Sequence, residues 1–342
     1  MDTAYVYHPI YLEHDQPSHP ENARRLKRIL STLEEKEVLS RLQLLEPRPA
    51  TGEELERVHT PELVERVKHV AQGGGGNLDP DTYVSPRSFD AALMAAGGLV
   101  RATEAVLAGE IANGFALVRP PGHHATATRA MGFCLFNNVA VAARAALTHE
   151  SVERVFIADF DVHHGNGTQD AFADDPAILF FSTHQYPYYP GTGAWDEMGT
   201  GEGQGTLLNV PLPVQVGDSG YIQVFAELAW PLAERFQPDL ILVSAGYDAH
   251  WSDPLAYMNL SLTGYAQLAQ ELVRMAAQLC EGRILFTLEG GYQLDVLAHG
   301  VLNAFYAMLG EDTIIDPFGP SPRPERPVDA LIARLKSAHG LD

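Results

Sequence analysis

The sequence predicts an α/β fold, a single domain built on an open parallel sheet with helices on both faces. Two observations carry this. Short β-branched and apolar runs alternate with amphipathic or alanine-rich stretches along all 342 residues, the pattern of strand and crossover helix. Five of the apolar runs also stop at polar, chemically able residues. Phe115 to Val118 stops at Arg119-Pro-Pro-Gly-His123-His124, Val155 to Ala158 at Asp159-Phe-Asp161-Val-His163, and Ile178 to Phe181 at Ser182-Thr183-His184. Leu240 to Ser244 stops at Ala245-Gly-Tyr-Asp248, and Ile284 to Leu288 at Glu289-Gly-Gly-Tyr292. In an open parallel sheet such positions converge at the carboxyl ends of the strands, where ligands bind.

Taken in order, Ala4 to Tyr7 reads as a first strand, and His19-Pro20 opens an amphipathic helix through Glu37 with Leu26, Ile29, Leu30 and Leu33 at helical spacing. Thr60 caps, and Pro61 starts, a helix that ends at the glycine run Gly73 to Gly76, which leaves Asp79 to Ser85 as an exposed loop. Pro86 to Leu107 is an alanine-rich helix closed by Gly109, crossing to the strand at Phe115. Helical segments follow the later strands at Asn138 to Thr148, Gly167 to Phe172, Ser219 to Phe236, Thr263 to Cys280 and Leu294 to Leu309. Gln185 to Pro213, rich in Gly, Pro and Tyr, is too long for a mere connector and reads as a rim of the site. A Pro-rich stretch, Phe318 to Pro327, leads into a terminal helix from Val328 to Ser337. No repeat or boundary divides the chain, so residues 1–342 are expected to form one domain, with a motif-bearing core over about 5–310 and an appended segment over 316–342.

Asp plus Glu number 44 against 23 Lys plus Arg, a formal charge of −21, which argues against a nucleic-acid partner. Cys134 and Cys280 alone make neither a disulfide framework nor a Cys-x-x-Cys site. The start Met1-Asp2-Thr3 has no basic leader, and no apolar run reaches the roughly 18 residues of a membrane helix. The expected setting is the cytoplasm, away from membranes.

Asp161 and His163 are two apart, so on an extended strand end both can point the same way, and Asp248 would join them from another strand. Two carboxylates and an imidazole with a position left for water make a catalytic metal site. Zinc suits this donor set first, and ferrous iron or cobalt would also fit. His123 and His124 follow a stiff Arg-Pro-Pro-Gly turn, with Asp159 and Asn166 available as acceptors to set their tautomers. Tyr292, after paired glycines, could bring a phenol to a developing oxyanion. No Gly-x-Ser-x-Gly elbow, P-loop or strand-linked Gly-x-Gly-x-x-Gly is present.

At these residues the chain resembles the zinc-dependent histone deacetylase family. The resemblance rests on Arg-Pro-Pro-Gly-His-His-Ala at 119–125, Gly-Phe-Cys at 132–134, Asn137-Asn138, Asp-x-Asp-Val-His-His-Gly-Asn-Gly at 159–167 and Glu-Gly-Gly-Tyr at 289–292, in the family's order. It implies the eight-stranded parallel sheet shared with arginases, and zinc held by Asp161, His163 and Asp248. It further implies a general acid/base pair, His123 and His124, braced by Asp159 and Asn166, and Tyr292 as the catalytic tyrosine. Asn166 and Leu255, after Asp253-Pro254, look like the class II branch, as in bacterial histone deacetylase-like amidohydrolases. Gly132, Phe133 and Tyr189 would line an acyl-lysine tunnel with Leu255 at its mouth, and Asp81 would be a rim residue binding substrate backbone. The family's structural potassium implies one site at Asp159, Asp161, His163, Ser182 and Thr183, and a second around Phe172, Asp175 and Ile178.

The expected reaction is metal-assisted hydrolysis of an acyl group from the ε-amine of lysine or a related acyl-amine. An acetylpolyamine amidohydrolase would use the same catalytic set, with Asp81 or another loop acid as gatekeeper. A binuclear arginase-like hydrolase would need an acid two residues beyond His163, where Gly165 stands. A non-catalytic acetyl-lysine binding module is disfavoured because no catalytic position is lost.

Overall fold

The computed structural model describes residues 2–341; Met1 and Asp342, the predicted domain's end residues, lie outside the described residues. The strands are β1 (Thr3–Val6), β2 (Gln43–Leu45), β3 (Gly76–Asp79), β4 (Thr82–Val84), β5 (Asn113–Ala116), β6 (Val155–Asp159), β7 (Ile178–Gln185), β8 (Leu207–Leu212), β9 (Leu240–Ala245) and β10 (Ile284–Leu288). The α-helices are α1 (Arg24–Glu35), α2 (Gly52–Glu56), α3 (Pro61–Gln72), α4 (Ser88–Leu107), α5 (Asn138–Ala146), α6 (Asn166–Phe172), α7 (Asp218–Val224), α8 (Trp230–Phe236), α9 (Leu262–Leu279), α10 (Leu294–Met308) and α11 (Asp329–His339).

Eight strands form one parallel sheet in the order β2-β1-β5-β10-β9-β6-β7-β8. The central strands are buried on both faces, as their unbroken apolar runs require: every residue of β5, β6, β9 and β10 is buried. Register aligns their ends. Asp159 pairs with Ser182 on one side and Ser244 on the other, and Leu288 pairs with Ala245. The segments after β5, β6, β9 and β10, four neighbours in the sheet, therefore emerge together at one edge.

Local chemistry explains the helix starts. Thr60 accepts from Leu63 N–H ahead of Pro61, Asn137 caps α5 through Ala140 N–H, and Gln293 caps α10 through Val296 N–H. Several boundaries differ from expectation. The first amphipathic helix begins at Arg24, because the residues after His19-Pro20 are spent on turns that Asn22 and Asp15 close by side-chain hydrogen bonds. Asp79 to Ser85 is not an exposed loop. It holds most of a β3–β4 hairpin in which Thr82, Tyr83 and Val84 are buried and Asp81 is the exposed tip. The expected helix from Ser219 to Phe236 is split by a π-helical turn over Phe225–Ala229 just before Pro231, which lacks the N–H that an α-helical ladder needs. Strand β7 runs through Ser182, Thr183 and His184 rather than stopping before them, and the Gln185 to Pro213 stretch contains edge strand β8. The Pro-rich stretch is anchored to the loop after β9: Arg323 donates to the carbonyls of Trp251 and Met258, and Asn259 donates to that of Pro324.

Candidate metal centre and active site

The ends of β6 and β9 bring Asp161, His163 and Asp248 together, each offering a ligand atom within 4.8 Å of the others. Both carboxylates are buried, and His163 is 9% exposed. His163 Nδ1 lies 3.2 Å from Asp161 Oδ1 and 3.2 Å from Asp248 Oδ2. The remaining oxygens are held by backbone amides: Gly290 N–H donates to Asp161 Oδ2 at 2.7 Å and Val162 N–H to Asp248 Oδ1 at 2.9 Å. Asp248 Oδ2 has no well-formed hydrogen bond despite its contact with His163, and such a buried carboxylate oxygen is costly unless a cation meets it. Burial pushes the Asp161 carboxyl up, but the imidazoles of His123 and His163 hold it well below the usual range. Two acids against one imidazole, with an unsatisfied oxygen turned inward, is a donor set that fits a divalent cation.

Gly290 makes this packing possible. A Cβ there would stand 2.2 Å from Asp248 Oδ2 and 2.5 Å from Asp161 Oδ2. Gly165 is equally constrained, since its Cβ would lie 2.2 Å from Asp159 Oδ2. A side chain of any kind, let alone the acid of a binuclear centre, has no room there.

Beside the cluster, the His123 and His124 rings stand 4.0 Å apart and face different partners. His123 Nδ1 lies 3.0 Å from Asp159 Oδ2, and His124 Nδ1 lies 2.9 Å from Asn166 Oδ1. Burial disfavours a charged His123, but Asp159, Asp161 and Glu289 outweigh it and raise its pKa to about 10. Burial and the neighbouring His123 and His163 instead hold His124 well below the usual imidazole value. The two rings are thus pushed in opposite directions, His123 toward holding a proton and His124 away from it.

These groups lie at a cavity of about 270 Å³ to which His123, His124, His163, Gly290 and Tyr292 contribute. Asp81, Gly132, Phe133, Tyr189 and Leu255 also line it, so every residue expected along a tunnel lies there. Gly132 adopts φ +57°, and its missing Cβ would lie 2.3 Å from His124 Cδ2. Phe133 meets Tyr292 edge to face at 5.9 Å, and Tyr189 meets His124 likewise at 5.1 Å. The sequence reading missed Tyr188, which lines the same cavity and donates its hydroxyl to Leu255 O at 3.1 Å. Its signal is the run Tyr186-Pro-Tyr188-Tyr189, which sets two adjacent tyrosines on the rim segment. His19 was also missed: its ring meets Phe133 edge-on at 4.6 Å and its Nε2 lies 3.2 Å from Asp81 O.

The residues expected around potassium separate into two groups. Asp159, Asp161, His163, Ser182 and Thr183 lie on β6, β7 and the turn after β6, and the buried Thr183 Oγ1 has no partner. Phe172, Asp175 and Ile178 lie between α6 and β7, where the Asp175 carboxylate is taken by the Arg144 guanidinium and by Ala177 N–H at 2.9 Å. A second cluster of possible ligands, His123, Cys134 and Glu289, is buried. The Glu289 carboxylate already accepts Gly122 N–H, His123 N–H and the Ser244 hydroxyl, so it acts as a brace for the histidine turn.

Comparison with known proteins agrees with this geometry. Residues 19–308 match the histone deacetylase domain. The chain is 44% identical over 316 residues to a probable deacetylase of Archaeoglobus fulgidus, covering 91% of this chain and 88% of that one. It is 38% identical over 356 residues to the human polyamine deacetylase HDAC10, covering 99% of this chain and 52% of that one. The crystal structure of the HDA15 HD domain superposes with a TM-score of 0.90 at 37% identity, over 99% of this chain and 94% of the other.

Proposed function

Because this chain belongs to the histone deacetylase family, whose members are hydrolases, we propose that it removes acetyl or other acyl groups from the ε-amine of lysine, or from a related acyl-amine. The observation that carries this reading is the Asp161, His163 and Asp248 cluster, with its unsatisfied Asp248 Oδ2, beside the neutral His124 at an aromatic-walled cavity. Asp161, His163 and Asp248 would hold a zinc ion, with ferrous iron or cobalt able to take its place; when bound, the metal supplies Lewis acidity and acidifies a water.

The chain's own groups divide the remaining work. His124, its Nδ1–H directed to Asn166, presents Nε2 as the base that takes a proton from the attacking water and later returns one to the departing amine. His123, whose hold on a proton is strengthened by Asp159, would add positive charge beside the reacting carbonyl. Tyr292 donates to the oxygen that becomes negative in the tetrahedral state. Gly132, Phe133, Tyr188 and Tyr189 exclude water along the acyl-amine's methylene chain. Asp81 and Leu255 form the rim, where Asp81 would accept from substrate amide groups. Asp159, Asp161, His163, Ser182 and Thr183 would hold potassium beneath the site. Phe172, Asp175 and Ile178 would surround a second potassium, with backbone carbonyls as donors.

An acetylpolyamine is the second reading, favoured by the charge of −21 and by the polyamine deacetylase among the relatives. Leu255 places an apolar group where a cation-selective gate needs an acid, which ranks acyl-lysine first. The test is parallel turnover of an acetyl-lysine peptide and N-acetylputrescine by the same metal-analysed sample, before and after chelation. Chelator-sensitive cleavage with a higher kcat/KM for the peptide supports acyl-lysine. The reverse ranking supports the polyamine reading, and hydrolysis of neither refutes both.

A further inference from the structure

Tyr292 sits on a five-residue connection, residues 289–293, between β10 and α10, and such a segment does not aim a phenol unless its backbone is held. The carbonyl side is held by buried Arg25, which donates to Glu289 O at 2.5 Å and to Gly291 O at 2.8 Å. The amide side is held by a carboxylate that the reaction does not use. Asp253 Oδ2 accepts Tyr292 N–H at 2.8 Å and Gln293 N–H at 3.1 Å, while its Oδ1 accepts Leu255 N–H at 2.9 Å.

Asp253 is 6% exposed, and no basic side chain forms an ion pair with it among the described residues. A buried acid without a counter-cation is expensive, and here three backbone N–H groups from two separate loops compensate it. Two of those groups belong to residues that line the cavity, and the third belongs to the cap of α10. Leu255 lines it directly and accepts the Tyr188 hydroxyl, Tyr292 lines it from the opposite loop, and Gln293 caps α10.

We propose that Asp253 is a positioning residue that locks Tyr292 and Leu255 into one frame, so that the apolar side chain at the tunnel mouth and the phenol stabilising the oxyanion at its floor keep a fixed separation. This rests on the deacetylase reading above and adds a residue to it. The loop after β9 thereby serves two ends of one site: Asp248 belongs to the candidate metal cluster, and Asp253, five positions on, ties the rim residue Leu255 to Tyr292.

The experiment is a double-mutant cycle on an acetyl-lysine peptide. Asp253→Asn replaces one acceptor oxygen by a donor, so in either orientation one loop loses its partner. Expected is a loss of roughly 10- to 100-fold in kcat, with KM changed by less than about threefold, the size of effect that a small misplacement of a reacting group produces. In a Tyr292→Phe background the same substitution should cost less than about threefold, because the phenol it acts through is already gone. An equal loss in both backgrounds, or an unchanged kcat in D253N, overturns the proposal. Should D253N not fold, Asp253→Glu, which keeps the charge and shifts it by one methylene, is put through the same cycle with the same two criteria. If the unsubstituted protein cleaves no acyl-amine at all, it is the deacetylase reading that fails, not the role of Asp253.

Discussion

His124 Nδ1 lies 2.9 Å from the amide oxygen of Asn166. Its neighbour His123 faces a carboxylate at nearly the same distance, so two adjacent imidazoles differ in the charge of their acceptor. This leaves His124 as the ring able to take a proton. Below its pKa a base is already protonated and idle, so activity fails on the acidic side of that value.

Replacing Asn166 by Asp places a negative charge against His124 and raises its proton affinity. The acidic limb of the kcat/KM profile should then move to higher pH, with the metal content unchanged. A limb that stays in place in N166D would remove His124 as the base.

Tyr292→Phe removes the phenolic donor but leaves the ring that packs on Phe133. Turnover should fall roughly 10²- to 10³-fold, as when a typical oxyanion donor is deleted, with substrate KM little altered. Steady-state kinetics with far-UV circular dichroism checks this; unchanged turnover in a folded variant would falsify the role.

Gly290→Ala adds a Cβ 2.2 Å from Asp248 Oδ2 and 2.5 Å from Asp161 Oδ2. Both carboxylates are tied to backbone amides, so the clash is relieved by displacing a ligand oxygen. Metal affinity should drop by roughly 10- to 100-fold, the effect of disturbing a ligand's support. Competition with a chromogenic chelator measures it, and tight binding by a folded G290A would contradict the assignment of the cluster.

Glu21 is buried with two guanidinium groups, Arg119 in a two-point pair and Arg25 at 3.1 Å. Burial alone would push its carboxyl up, but Arg119, His14 and Arg25 hold it well below the usual value. A carboxyl whose folded pKa is depressed contributes stability that is complete above the unfolded value of about 4.3 and is lost as the pH falls further. Glu21→Gln should cost about 3–5 kcal/mol at neutral pH by leaving the arginines uncompensated, and should flatten the acid limb of the stability curve. Urea titrations at several pH values read both effects; equal stability in E21Q would show that the pair contributes nothing.

The metal-site candidates were legible because each ended an apolar run that could only be a buried strand, and parallel strands deliver their ends to one edge. The runs before Asp159, Asp248 and Glu289 became β6, β9 and β10 with nearly the expected bounds. Strand β8 was not legible, since Asn209 and Pro211 interrupt its apolar character and it pairs only with β7 at the sheet edge. The β3–β4 hairpin was hidden because Asp79, Asp81 and the preceding glycines have loop composition, and only packing shows Thr82 to Val84 to be buried. Tyr188 and Asp253 were missed for a related reason: nothing in Tyr188-Tyr189 or Asp253-Pro254 tells which side chain turns inward.

By itself, the order of residues determined the alternation of strand and helix, the sheet edge to which the carboxylates and imidazoles are brought, and the chemistry those groups can perform. Tertiary structure alone decided which of two adjacent histidines faces a carboxylate and which an amide, which tyrosines wall the cavity, and that one aspartate binds the loops of Leu255 and Tyr292 together. Hydrophobic periodicity is a local property that survives in a linear string. Charge state and side-chain direction depend on neighbours brought from other strands, which no local spacing records.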